Sequence, residues 1–406
     1  MTEQQSTSYR WVILTLAVLT YLMLMLNRYA WPPLVPVVVP ILNINMTEAG
    51  AYMTAFYMGY IITQIPGGML GDRFGVRFIM AGTLILQAVA SFFMGSINDF
   101  QTGFALRVLA GIAGGCVYAV CFRALVQWFP PAQRGLAFGI LMATPSIGLA
   151  LPNAFVPLLE DMFGWRAVFR IIGIISAVTS VIVVTMMKES PTQTKPSVNE
   201  TKGQPEPKAG FLDGLKYVVT NKNIMLLAIC GFTSIWFQIG FASWGNTYLK
   251  QELGFSLQLA GSIMASLGFI GIVVSPLSGY LAGKTGRGKL MLVISNLLAI
   301  VGLLLFGQVT SPSVLFALTL VVGVGAGCVN AVYSYVISTH SDPKAAATAG
   351  GATSFIYQLA GIAVPLVTGW AIDLGSFSTV WWIIAAGPAV AIFCLAMVGK
   401  PPQQAS

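Results

Sequence analysis

Charged residues are scarce in this sequence. Only 8% of its 406 residues are Asp, Glu, Lys or Arg, whereas 56% are hydrophobic, and the mean hydropathy is +0.80. Soluble domains carry roughly 25% charged residues. A globular protein with so few polar groups could not cover its surface in water, so lipid must be the solvent for much of this chain.

The residue types that usually form catalytic or metal sites do not occur here in the spacings that such sites require. The sequence has one histidine, His340, and its five cysteines have neither metal-ligand nor disulfide spacing. Glycines at 323, 325 and 327 resemble part of a nucleotide-binding loop, but no strand or phosphate-binding lysine accompanies them. We therefore predict that the protein is not an enzyme and has no catalytic residue, no metal and no cofactor.

A formal net charge of +8 could indicate a nucleic-acid partner. The basic residues, however, are scattered between apolar runs rather than clustered. The tendency of Lys and Arg to lie on the cytoplasmic side of membrane proteins explains this distribution better. We predict a lipid bilayer and no nucleic acid as partners, and a monomer.

Long apolar runs are what the sequence does have, and a membrane-spanning helix needs about 20 such residues. The runs predict an all-α membrane protein with twelve transmembrane helices. The predicted spans are 10–40, 47–70, 78–97, 100–123, 135–159, 165–187, 223–248, 257–281, 289–309, 312–337, 345–372 and 377–398.

The spans fall into two halves with a repeated signal. A Gly-rich basic string, GMLGDRFGVR, follows the second span at 68–77, and GYLAGKTGRGK follows the eighth at 279–289. Parallel repeats of this kind place a solute site between the halves near the middle of the membrane. We predict six-helix bundles at 1–188 and 223–406, joined by a cytoplasmic linker at 189–222 that ends in an amphipathic surface helix.

The distribution of Lys and Arg predicts the orientation in the membrane. With both termini in the cytoplasm, the basic loops face inward, at Arg73 and Arg77, at Arg134, and in the linker. Few basic residues, such as Lys250, then face outward. This bias predicts a multi-pass protein with both termini in the cytoplasm. We expect the membrane to be a prokaryotic cytoplasmic (inner) membrane.

The string Gly68-x-x-x-Asp72-Arg73-x-Gly75-x-Arg77 resembles the cytoplasmic signature of the major facilitator superfamily, as does Arg107-x-x-x-Gly111-x-x-Gly114 in the fourth span. The resemblance implies the major facilitator fold and transport by alternating access. It also implies a gating role for Asp72, Arg73, Arg77 and Arg134, the alternative being a solvated loop with weak surface pairs.

Within that superfamily the sequence is most similar to the anion:cation symporter group, which carries organic acids such as sugar acids. The strings that carry this similarity begin at Asn27-Arg28, Phe56-Tyr57-Met58-Gly59-Tyr60, Gln127-Trp128-Phe129-Pro130 and Gly164-Trp165-Arg166. The group usually has Asp before the arginine of the first span and Glu at the position of Gly114. Those carboxylates are tied to proton coupling in the group, so their absence argues against proton symport by that route.

Ionisable residues inside a membrane usually have a function. Arg28 lies in an apolar stretch just before Pro32 and Pro33, which should break the helix. We predict that Arg28 binds a carboxylate, since a guanidinium can bind one bidentately. The alternative is that its side chain extends to the outer membrane–water interface. Tyr21 shares its face, and Tyr60 belongs to a string that carries the resemblance.

The other candidate substrate contacts each have a structural alternative. Arg107 could instead bind carbonyls of a broken neighbouring helix, Arg123 could reflect topology alone, and Tyr118 could only pack. Polar or aromatic residues of the second half could bind substrate or join helices: Gln238, Trp244, Asn246, Tyr333, Tyr357 and Gln358.

These features together predict a secondary carrier for a small organic anion, such as a carboxylate or sugar acid. Because the sequence places no carboxylate clearly at mid-membrane depth, we expect exchange against a counter-anion, facilitated diffusion, or symport in which the substrate itself carries the proton. Two alternatives remain open: a carrier or exporter of neutral or cationic solutes, and a non-transporting membrane receptor.

Overall fold

The computed structural model describes residues 3–64, 66–188, 211–342, 345–375 and 377–399. Sixteen α-helices account for nearly all of these residues. The predicted linker lies outside the described residues from 189 to 210. The prediction of an all-α, multi-pass membrane protein is confirmed.

The helices of the first half are α1 Glu3–Tyr29, α2 Trp31–Leu42, α3 Met46–Gln64, α4 Pro66–Phe74, α5 Val76–Met94, α6 Phe100–Gly115, α7 Val117–Trp128, α8 Pro131–Phe163 and α9 Trp165–Met186. Those that follow the linker are α10 Phe211–Thr220, α11 Lys222–Gln251, α12 Leu257–Thr285, α13 Gly288–Phe306, α14 Pro312–His340, α15 Ala346–Asp373 and α16 Phe377–Met397. Predicted spans one, two and four are thus each formed by two consecutive helices.

Eleven described segments are long and apolar enough to cross a membrane. The predicted second span, built from α3 and α4, is the less apolar exception. Its composition fits its position, because α3 packs against α6 on one side and α15 on the other. A helix surrounded by protein needs fewer lipid-compatible side chains than one that faces the bilayer.

Because successive spans run in opposite directions, their connections alternate between two ends of the molecule. We call the end with the α4–α5, α7–α8 and α12–α13 connections the motif end, since it carries the repeated Gly-rich strings. The opposite end, with the α2–α3, α5–α6 and α15–α16 connections, is the far end.

The first span is broken at Ala30, as the prolines predict. Helix α1 ends at Tyr29 and α2 starts at Trp31. Pro32 has no N–H and cannot donate to the carbonyl of Arg28 four residues earlier. The break therefore leaves backbone acceptors inside the protein that need other partners.

Helix α10 occupies the position of the predicted amphipathic surface helix and packs against α15. Val218 is buried, while Leu212 and Val219 are exposed. The Tyr217 hydroxyl accepts a 3.0 Å hydrogen bond from the backbone N–H of Asp342, just after α14. The helix is thus attached to the motif end of the second half.

The two halves touch through α2, α3 and α8 on one side and α11, α15 and α12 on the other. Thr54 of α3 donates a 2.8 Å hydrogen bond to the carbonyl of Ile362. Gly50 lies so close to the carbonyl of Pro365 that a Cβ atom there would clash. Helices α4 and α7, at the motif end, instead pack against each other and against α5 and α1 of their own half.

A carboxylate joins the halves at the far end. Asp373, the last residue of α15, accepts hydrogen bonds from the backbone N–H groups of Met46 (2.9 Å) and Thr47 (2.8 Å) at the start of α3. Asn45 and Glu48 complete the cap reciprocally. The first N–H groups of α3 are therefore satisfied partly from the other half, where the helix dipole favours negative charge.

Candidate functional site

A pocket lies where the broken first span meets α3, α6 and α11. Both halves contribute to it, the second through α11 alone. Its described lining residues are Arg28, Tyr29, Pro32, Met53, Phe56, Tyr57, Arg107, Ile239, Ala242 and Ser243. None of these ten is acidic, so two guanidinium groups share the pocket without a carboxylate in its described lining.

Arg28 occupies the last turn of α1, directly before the break. Its Nη2 donates a hydrogen bond to the hydroxyl of Tyr57. Its guanidinium carbon lies 4.4 Å from the ring centroid of Tyr57 and 5.2 Å from that of Tyr29. Its Nε is buried with no hydrogen-bond partner in the described structure. A cation with an unused buried donor is suited to receive an anion.

Arg107 is almost fully buried and bonded to backbone. Nε donates to the carbonyl of Tyr52 at 3.1 Å, Nη1 to that of Asn27 at 2.8 Å, and Nη2 to that of Arg28 at 3.5 Å. It thereby supplies donors to the carbonyls at the end of α1. These bonds hold in place the segment that carries Arg28. Arg107 therefore affects the pocket at least by positioning Arg28.

The position of Arg107 follows from how α6 begins. Asp99 is the N-cap of α6, and its carboxylate accepts a 2.8 Å hydrogen bond from the N–H of Thr102. That bond lowers the pKa of Asp99 below its ordinary value, because it favours the charged form. The cap fixes the first turn at the far end, two turns before Arg107.

Neutral polar side chains surround Asn27, the residue directly before Arg28. Ser91 Oγ donates to Asn27 Oδ1. Asn27 Nδ2 donates to the carbonyl of Met23 at 2.8 Å and to Gln87 Oε1 at 3.4 Å. The three side chains are buried. The cluster contains no group that changes charge near neutral pH, and Gln87 Nε2 is buried in it without a partner in the described structure.

The predicted aromatic contacts of the first half lie toward the motif end from Arg28. Tyr21 and Tyr118 have ring centroids 6.2 Å apart, and Tyr60 stacks on Phe56 at 6.4 Å. Tyr118 is 40% exposed. Arg123 lies closer to the motif end, beside Gly71. A Cβ atom placed on Gly71 would lie 3.9 Å from Arg123 Cδ. Direct substrate contact by these residues stays a prediction.

Three residues predicted on α11 bond to other helices. Asn246 Nδ2 donates to Asn153 Oδ1 at 2.7 Å, across the two halves. Trp244 Nε1 donates to Thr368 Oγ1 at 2.6 Å, and Gln238 Nε2 lies 3.4 Å from the carbonyl of Ala326. These bonds match the helix-joining alternative, and a substrate role for the three residues stays a prediction.

The remaining candidates of the second half lie on α14 and α15. The Tyr333 hydroxyl donates to the carbonyl of Leu227. The rings of Tyr333 and Tyr357 meet edge to face with centroids 5.2 Å apart. Gln358 is half-buried on α15. The lining of the pocket includes none of these three among its described residues.

The predicted gating residues lie at the motif end. Arg134 donates to the carbonyls of Phe129 (3.0 Å) and Val126 (2.9 Å), so it caps the end of α7. Arg73 and Arg77 lie beside the rings of the phenylalanines that follow them. The side chain of Asp72 lies outside the described residues, so its pairing stays a prediction.

Sequence reasoning selected Arg28 and Arg107 among the described lining residues but missed the others. One signal could have found Tyr57: it precedes the chosen Tyr60 by three residues and so lies on a neighbouring part of the same helix face. The face of α11 that carries Ile239, Ala242 and Ser243 has no comparable signal, because these three side chains are apolar or small.

Comparison with known proteins decides the family. The profile of the Major Facilitator Superfamily matches residues 17–365 and 273–406. This chain belongs to the Major Facilitator Superfamily. A member of this superfamily is a membrane transporter rather than an enzyme, and the expectations of fold and family drawn from the sequence are confirmed.

Individual relatives cover nearly the whole chain. The hexuronate transporter of Bacillus subtilis (strain 168) is 26% identical over 93% of this chain and 92% of its own length. The probable galactarate/D-glucarate transporter GudP of the same organism is 25% identical over 89% and 85%. The crystal structure of a mutant of the nucleoside transporter NupG superposes with a TM-score of 0.78 at 18% identity, covering 96% of this chain and 100% of that one. That structure and this chain therefore share one fold.

Proposed function

We propose that this member of the superfamily is a secondary carrier that moves a small organic anion across the membrane by alternating access. The single observation that carries the proposal is the pocket in which Arg28 and Arg107 lie without an acidic residue in its described lining. The names of the relatives denote sugar-acid transporters, and sugar acids are small organic anions, so these names support an anionic substrate.

Arg28 is the residue that we propose to bind the carboxylate. Its Nε is buried and has no partner in the described structure, whereas Arg107 already donates to three carbonyl oxygens. A carboxylate that accepts from Nε and a terminal nitrogen would form the bidentate pair that a guanidinium favours.

We further propose that the motif end faces the cytoplasm, together with both termini. Basic loop residues lie at that end, as the positive-inside rule requires. The contacts between halves lie toward the far end, while Tyr118 and Phe122 near the motif end are 40% and 41% exposed. These features support a state in which the pocket is open to the cytoplasm, with the protein in a bacterial inner membrane.

The coupling proposal follows from the neutral cluster around Asn27. Without an aspartate at this position, the described part of the pocket has no carboxylate that could carry a proton on the protein. We propose that transport is exchange with a counter-anion, facilitated diffusion, or symport of the protonated substrate. We also propose that the two bundles, 1–188 and 223–406, move against each other within a monomer.

Binding to purified protein tests the role of Arg28. We expect Arg28→Ala to weaken carboxylate binding by about 3 kcal/mol, roughly 100-fold in Kd, because charge-assisted hydrogen bonds are lost. Arg28→Lys should recover part of the affinity, since it keeps the charge but not the fork. Ligand-dependent thermal stabilisation and uptake into proteoliposomes are the measurements.

The matched control is Arg170→Ala, which removes a far-end arginine that bonds Ser96. It should leave binding and uptake unchanged. Neutral or cationic ligands that bind the parent and the Arg28→Ala variant equally well would overturn the anion proposal in favour of a carrier for other solutes.

A further inference from the structure

The wall of the pocket that the second half provides is apolar. Ala242 and Ser243 follow Ile239 by three and four residues on α11, so both lie on the same face of the helix as Ile239. The first half adds Pro32, Met53 and Phe56. The hydroxyl of Ser243 is the one polar side chain that the described second half contributes to the lining.

Two amide side chains of α11 have the chemistry to bind sugar hydroxyl groups, but neither belongs to the described lining. Asn246 Nδ2 donates to Asn153, while its Oδ1 is buried without a partner in the described structure. Gln238 contacts the carbonyl of Ala326. No Asn, Gln, Asp or Glu is present among the ten described lining residues. The pocket therefore offers few acceptors to the several hydroxyl groups of a sugar acid.

Among the pocket side chains of the first half, Arg107 already uses its donors on three backbone carbonyls. The Tyr57 hydroxyl accepts from Arg28 and so keeps its own O–H as a single donor. Of the two guanidinium groups in the pocket, that of Arg28 has a buried donor without a hydrogen-bond partner in the described structure. A second carboxylate in the pocket would thus compete with backbone for Arg107, which disfavours a dicarboxylate.

We propose that the pocket is selective for compact monocarboxylates with an apolar or aromatic body, rather than for polyhydroxylated sugar acids or dicarboxylates. This inference rests on the proposed function, because it assigns the carboxylate to Arg28. The apolar body contacts Met53, Phe56, Ile239 and Ala242, and burial of that surface favours binding. A hydroxyl buried against the same side chains loses its bonds to water without replacement.

Competition binding on the full-length purified protein tests the selectivity. The probes are benzoate, cyclohexanecarboxylate, glucuronate, galactarate and succinate, with benzyl alcohol as the neutral analogue. We expect benzoate and cyclohexanecarboxylate to bind at least about tenfold more tightly than glucuronate, galactarate or succinate. Benzyl alcohol should not compete, and Arg28→Ala should abolish the preference.

A substitution in the apolar wall provides the second readout. Ile239→Gln introduces an amide into the pocket, with Ile239→Leu as the matched apolar control. We expect the Gln variant to reduce the ratio of benzoate affinity to glucuronate affinity by about tenfold or more. The Leu variant should keep the parental order of affinities.

The outcomes separate the two proposals. Glucuronate or galactarate binding more tightly than benzoate, with dependence on Arg28, overturns the substrate class and leaves the anion carrier intact. Competition by neutral or cationic compounds, or the lack of binding by every carboxylate, overturns both.

Discussion

The two pocket arginines differ in what their donors reach. Arg28 bonds one tyrosine and keeps a buried donor unused, whereas Arg107 reaches three backbone carbonyls on two helices. Removal of Arg28 therefore changes what the pocket can bind, while removal of Arg107 changes whether the pocket keeps its shape.

This difference gives a prediction about stability. Arg107→Ala leaves buried carbonyls at the end of α1 without donors, so we expect a loss of about 3 kcal/mol in the free energy of unfolding. The melting temperature of the purified protein should fall by roughly 5 °C. Arg28→Ala should change it by about 1 °C, because one side-chain bond is lost.

Thermal unfolding without ligand, followed by circular dichroism, measures both variants beside Arg170→Ala. If Arg107→Ala melted like the parent, the carbonyl bonds would not stabilise the fold, and direct contact with substrate would become the better explanation for that arginine.

At the scale of helices, the N-terminus of α3 is capped from both halves. Asn45 and Glu48 satisfy the local positions, and Asp373 satisfies Met46 and Thr47 from the end of α15. When the halves separate at the far end, these two N–H groups lose the carboxylate. The cap thus favours the state in which the far end is closed.

Asp373→Asn should weaken this closure. The amide keeps the shape of the side chain but loses the charge and one acceptor. We expect this loss to destabilise the closed far end by about 1 kcal/mol relative to the open state. We expect the population with an open far end to rise roughly fivefold. Spin labels at Ile41 and Leu374, both exposed on opposite halves, report the change as longer distances.

Asp161→Asn is the matched control, since Asp161 is an exposed acid near the end of α8. It should leave the distances unchanged. Identical distance distributions in the parent and in Asp373→Asn would contradict a role for the cap in closing the far end.

Over the whole molecule, hydropathy predicted the spans because the bilayer imposes their length and composition. The prolines after Arg28 likewise predicted the break that places this residue in the pocket. The rotation of α11 about its axis was not predictable, because its polar side chains bond neighbouring helices and do not mark the face that lines the pocket. Gln238 and Asn246 looked like binding residues by their chemistry, yet their amides join helices.

The unbalanced charge of the pocket has a consequence for energetics in a polarised membrane. Two permanently charged guanidinium groups make the empty pocket doubly positive, and a bound monoanion makes it singly positive. Each elementary charge moved through about 100 mV corresponds to about 2.3 kcal/mol. The voltage should therefore act about twice as strongly on the return of the empty protein as on the loaded step. Exchange of labelled for unlabelled substrate, which uses only the loaded protein, should respond less to an imposed voltage than net uptake does.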